Sequence, residues 1–92
     1  MVGRDDSAGF PIQVALAPDN AVVLFELLSR LLGDKEGTRL RGLIAHDAEL
    51  WALDELLGGL ERQLVEPLRQ DYQPLLADAR ARLSQKRGAW PQ

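Results

Sequence analysis

Leucines at helical spacing are the feature that most constrains this chain. Leu50, Leu53, Leu57, Leu60 and Leu64 follow one another at intervals of three and four residues. Side chains at this spacing share one face of an α-helix, and such an apolar face must pack against another element. The chain has 18 leucines against eight Val, Ile and Thr residues, and unbranched side chains lose less rotamer freedom in a helix. The sequence therefore predicts an all-α fold.

Three segments carry the helical pattern. Helix one is predicted over residues 18–32, helix two over 47–65 and helix three over 71–86. Gly33 lies where a left-handed residue is often needed after a helix, and Pro67 is expected to end helix two. Eleven side chains on these helices are predicted to be mostly buried: Leu24, Leu28, Leu31, Leu50, Leu53, Leu57, Leu60, Leu64, Tyr72, Leu76 and Leu83.

A chain of 92 residues has the length of one small domain, which buries only about 60 to 65% of its unfolded surface. Residues 1–9 show no apolar period and are predicted to be disordered, residues 10–88 to form the helical domain, and residues 89–92 to be a C-terminal tail. Apolar side chains alternate in residues 10–16, which predicts an extended segment with its apolar side on the helices. Residues 39–46 read as a connection with one helical turn. The predicted architecture is a small three-helix antiparallel bundle with a short extended N-terminal segment.

The residues that catalysis or metal binding needs are missing or isolated. The chain has no cysteine and one histidine, so His46 and Glu49 have too few companions for a zinc site, and His46 is interpreted as a helix-capping or surface histidine. Gly33 and Gly37 are separated by three residues and no lysine follows, whereas a P-loop has four residues and then Gly-Lys-Ser/Thr. We therefore predict no enzyme activity and assign no catalytic, cofactor-binding or metal-binding residue.

The charge balance favours a protein partner. A net charge of −3 argues against direct nucleic-acid binding, which depends on neutralising phosphates with Lys and Arg. The sequence has no apolar run that fits a membrane span or a secretory signal, so the chain is expected to be cytoplasmic and away from membranes. Between Asp47 and Glu66 there are six acids and one base, which suits a basic partner.

Trp51 falls nearly opposite the leucine face of helix two, beside Gly58 two turns later. An exposed tryptophan among polar residues is typical of an interface, and the glycine is expected to leave a recess beside it. The alternative is that helix one or the 39–46 connection covers the ring. The candidate partner-binding residues are Asp47, Trp51, Asp54, Glu55, Gly58, Glu61 and Arg62.

Over residues 18–83 the chain resembles small uncharacterised helical proteins of bacteria, on the stretches 22–26, 48–53, 64–67, 71–72, 75–76 and 79–80. It is also similar in size and charge to immunity proteins of bacterial toxin systems, including contact-dependent inhibition. That similarity implies an antitoxin that neutralises a toxin by occluding its basic active site, with helix two as the contact. The alternative is an oligomeric helical adaptor or regulator, such as a homodimer, whose leucine repeat continues into an interchain bundle.

Overall fold

The computed structural model describes residues 10–33 and 38–91. Within these ranges the chain has three α-helices, two short 3-10 turns and no strand. The helices are α1 (Pro18–Leu31), α2 (Asp47–Gln63) and α3 (Tyr72–Arg87), and the turns span Thr38–Leu40 and Glu66–Leu68. The all-α prediction is confirmed, and every helix bound lies within two residues of its predicted place. The predicted disorder of residues 1–9 lies outside the described residues.

The ends of the helices follow local rules, with one exception. The predicted left-handed Gly33 is wrong, because Leu32 follows α1 at φ −104° and its N–H already closes the last turn on the carbonyl of Leu28 at 2.9 Å. Gly33 instead lies close to the backbone of α1. A Cβ at this position would lie only 2.9 Å from the carbonyl oxygen of Ser29, so a larger residue would clash there. The left-handed glycine is Gly88, which follows α3 at φ 80°.

α1 is the central helix. It packs on both α2 and α3, whereas α2 and α3 make little direct contact with each other. Ala21 faces a cluster with Leu28 and Leu60, and Val22 faces a second cluster with Leu76 and Ala79. Because neighbouring residues are about 100° apart around a helix, Ala21 and Val22 present two different flanks of α1.

The leucine face of α2 packs against α1 of the same chain. Leu53, Leu57, Leu60 and Leu64 all belong to or pack against the cluster around Leu28. Of the eleven side chains predicted to lie in the core, three are buried, eight are half-buried and none is exposed. α2 itself ends at Gln63, four residues before Pro67, and Pro67 lies inside the second 3-10 turn.

Two polar contacts join α1 to α3. Arg82 donates two hydrogen bonds to the carboxylate of Asp19 at 2.8 and 2.9 Å, and the hydroxyl of Tyr72 donates to Glu26 Oε1 at 2.9 Å. The hydrogen bond from Arg82 holds the pKa of Asp19 below its usual value. Asp19 comes before Glu26 along α1, whereas the residue of α3 that binds Asp19 comes after the one that binds Glu26. The two pairs therefore occur in opposite order along the two helices. An antiparallel arrangement of all three helices stays a prediction.

Residues 10–17 have no regular secondary structure, although Ala17 has extended dihedrals. The predicted packing of their apolar side on the helices is wrong for Phe10, Ile12 and Val14, which are 97%, 92% and 76% exposed. Between α1 and α2 the predicted single helical turn is present as the first 3-10 turn, and it buries Leu40.

Candidate functional site

The seven candidate partner-binding residues form one continuous face of α2, called the acidic face below. At about 100° per residue they fall within an arc of about 120°. Six of them are exposed and Gly58 is half-buried. The members of the acidic face are Asp47, Trp51, Asp54, Glu55, Gly58, Glu61 and Arg62.

Trp51 is 72% exposed. Neither α1 nor the connection before α2 covers its ring, because α1 packs on the leucine face, which points away from Trp51. Tryptophan side chains are highly buried on average. A solvent-exposed indole within a helix is therefore the most unusual feature of this surface. Such a ring can supply the desolvated centre of a protein contact.

The carboxylates around Trp51 differ in how they are used. Asp47 binds Arg41 at 2.7 Å, so its charge is already paired with a base from the preceding connection. Asp54, Glu55 and Glu61 are exposed and have no ion pair within residues 10–33 and 38–91. These three carboxylates are therefore the ones available to a basic partner, and the sequence did not distinguish them from Asp47.

The recess predicted beside Trp51 is partly occupied by Arg62. A Cβ built on Gly58 would lie 3.4 Å from Arg62 Nη1, and one built on Gly59 would lie 3.8 Å from Nη2. The guanidinium therefore lies over the glycine pair, where it is close enough to meet any side chain added there. The only sequence signal for this contact is the spacing of four between Gly58 and Arg62, which brings residues together on a helix.

The start of α2 is held by two side-chain hydrogen bonds. Nδ1 of His46 accepts from the N–H of Ala48 at 2.9 Å, and Glu49 Oε1 accepts from the N–H of Ala45 at 2.8 Å. Of the two expectations for His46, the helix cap is the one that the structure bears out, and its bond satisfies an amide group that the first helical turn leaves without a partner. The cap positions the acidic face but is not part of it.

A groove between α1 and α2 adjoins the acidic face, and sequence reasoning missed it. It encloses about 640 Å³. Ala21, Leu24 and Leu60 contribute apolar walls, and two carboxylates, those of Glu55 and Glu66, line it without any basic residue. Glu55 belongs to both surfaces, so the groove and the acidic face lie side by side on α2.

Within residues 10–33 and 38–91, no three His, Cys, Asp or Glu side chains are grouped so that they could hold a metal ion. None of the three helices combines the length and the apolar character that crossing a bilayer requires.

Comparison with known proteins adds no relative: no family model matches the chain, and no curated protein or solved structure is significantly similar to it. Functional inference therefore depends on the surfaces described above.

Proposed function

We propose that this chain is a non-catalytic protein-binding module whose acidic face binds a basic protein partner. The observation that carries the proposal is the exposed ring of Trp51 on the same face of α2 as three exposed carboxylates that have no ion pair in the described chain. A central aromatic side chain with a charged surround is the usual composition of an interface hot spot. The carboxylates would steer a basic partner toward the ring before contact.

The most specific form of this proposal is a bacterial immunity protein or antitoxin. A toxin that acts on nucleic acid needs a basic active site, and a small acidic protein can neutralise it by occluding that site. Such a role requires charge and shape but no catalytic residue. The net charge of −3 and the concentration of acids on α2 support this form.

The alternative was an oligomeric adaptor joined through the leucine repeat of α2. Four of the five leucines of that repeat already pack in or against the cluster around Leu28 in the same chain. The acidic face is the better supported surface.

A direct test uses the product of the gene next to the one that encodes this chain. If the proposal holds, the purified chain binds that protein and inhibits it. Charge reversal by Asp54→Lys together with Glu61→Lys should slow association by about ten- to a thousandfold at low salt, because complementary fields accelerate encounter. The effect should shrink at high salt, where exposed charges are screened.

The matched control is Asp71→Lys together with Asp78→Lys, which makes the same change in net charge at the start of α3 and within it. Both double variants go from −3 to +1, since each acid-to-lysine change adds two. Thermal unfolding should move little in either, because exposed ion pairs contribute about 0 to 1 kcal/mol. Equal slowing by both variants would mean that total charge, and not the acidic face, controls association.

Trp51→Ala should change the dissociation rate constant and not the association rate constant. Loss of a desolvated ring mainly raises the dissociation rate, and leaves the steering charges in place. Surface plasmon resonance at several salt concentrations separates the two effects. An unchanged dissociation rate would move the contact away from α2.

A further inference from the structure

We propose that two copies of this chain associate by exchanging their N-terminal arms. The arm is residues 10–16, and its outer side chains Phe10 and Ile12 would occupy the groove between α1 and α2 of the other copy. This inference concerns a surface other than the acidic face, and it stands or falls independently of the proposed function.

The arm is an apolar segment without a partner. Phe10 and Ile12 have the highest exposed fractions among the large apolar side chains of the described chain. No residue between Phe10 and Pro18 carries a charge. Alternate side chains of an extended segment share one side, so Phe10 and Ile12 would continue the apolar stripe that Val14 begins. Such a stripe in water is a candidate for burial against another surface.

The groove is an apolar surface with unfilled space. Its volume of about 640 Å³ is in the range of sites that hold compact ligands or a few side chains. Leu56 and Val65 on its walls are both exposed. Phe10 and Ile12 of the same chain do not line it, although Val14 and Leu16 do.

The arm's own path indicates that the occupant is a second copy. Val14 and Leu16 line one edge of the groove, whereas Phe10 and Ile12 of the same chain lie outside it and are almost fully exposed. A two-fold dimer brings each arm to the other groove, and the same contact forms twice.

The area available is sufficient for a specific contact. One phenylalanine ring buries about 150 to 250 Å². Two arms and two groove walls together therefore reach the order of 1,000 Å², which a specific interface requires.

Sedimentation equilibrium of the full chain over a wide range of concentration tests the proposal. We expect a reversible monomer–dimer equilibrium. Phe10→Asp with Ile12→Asp should raise the dissociation constant at least about a hundredfold, because each change removes a buried apolar side chain. The control is Leu43→Asp, since Leu43 is also an exposed apolar side chain but does not line the groove. It should leave the dissociation constant unchanged.

A charge comparison at one position identifies the groove as the docking surface. Glu55 and Glu66 line the groove and no base does, so Ile12→Glu should weaken the dimer at least roughly tenfold more than Ile12→Lys at low salt. High salt should reduce the difference. Equal effects of the two variants contradict docking in this groove.

Mixing two variants tests the exchange itself. Leu56→Glu alters the groove wall, and the double aspartate variant alters the arm, so neither is expected to form homodimers. Mixed together, they should associate more tightly than either variant does alone, because the intact arm of one chain meets the intact groove of the other and one of the two contacts is restored. Circular dichroism should show unchanged helix content in both. A strict monomer at the highest concentration, a dimer that survives the double aspartate change, or association on mixing that is no tighter than that of either variant alone overturns the proposal.

Discussion

The pH at which Tyr72 ionises is a sharp test of the contact between α1 and α3. Tyr72 is the chain's single tyrosine, it is half-buried beside the cluster of Val22 and Leu76, and its hydroxyl donates to Glu26. Burial of the phenol, then the hydrogen bond and the negative charge of Glu26, raise the pKa of Tyr72 from 10.0 to about 12.

This shift makes a stability contribution with a definite sign. The folded protein holds the phenolic proton more tightly than the unfolded chain, so the contribution is fully present below pH 10 and is lost as the pH rises through about 12. One pKa unit corresponds to about 1.36 kcal/mol. Because the pair is partly exposed and solvent screens the charge of Glu26, we expect a contribution on the order of 1 kcal/mol.

Absorbance of the phenolate in the near ultraviolet measures the ionisation directly, and circular dichroism in the same cuvette shows that the helices persist. The midpoint should lie near 12 in the folded chain and near 10 in denaturant. Glu26→Gln removes the charge but keeps an oxygen acceptor, so the midpoint should fall only part of the way. Burial is the largest cause of the shift and remains.

Glu55→Gln on α2 serves as the control, because it removes the same charge away from Tyr72 and should not move the midpoint. A midpoint near 10 in the folded protein, or one that Glu26→Gln leaves unchanged, would refute the contact between Tyr72 and Glu26.

Three further predictions concern stability, each measured as the free energy of unfolding in denaturant. Leu76→Ala should cost about 2 to 5 kcal/mol, because Leu76 is only 1% exposed, whereas Leu68→Ala removes an exposed leucine and should cost less than about 0.5 kcal/mol; similar losses would contradict the second cluster. Leu57→Ala should cost about 2 kcal/mol, since Leu57 is half-buried, and a loss under half a kilocalorie would show that the leucine face of α2 is not core. His46→Ala should cost about 0.5 to 1 kcal/mol by removing the acceptor for the N–H of Ala48, and His46→Asp should restore it; no difference between the two variants would mean that the cap contributes nothing.

Sequence reasoning succeeded where the physics is local. The spacing of Leu50 to Leu64 depends on residues within a turn or two of each other, so α2 could be predicted, and the helix cap was one of the two expectations for His46. Gly33 was the local failure, because the last turn of α1 closes on Leu32 without a left-handed residue. Both left-handed and close-approach positions favour glycine, and the sequence alone does not distinguish them.

For the candidate site, the sequence identified the acids and Trp51 on one face of α2 but left open whether the ring was covered. Whether the ring is covered depends on which of the three helices lies between the other two. The pairing of Asp47 with Arg41 and the position of Arg62 over the glycine pair also required coordinates, because long side chains reach several neighbours and the chain's path selects among them.

The sequence by itself therefore determined the class of fold, the three helices and the charges that α2 carries, because periodicity, capping and charge are properties of short stretches of chain. Only the tertiary structure decided that α1 is the central helix, that Trp51 is exposed and that a groove remains between α1 and α2. Those features arise from packing between residues far apart in sequence. Several arrangements of three amphipathic helices satisfy the same apolar pattern, and the fit of side chains such as Ala21 and Val22 on the two flanks of α1 selects one of them.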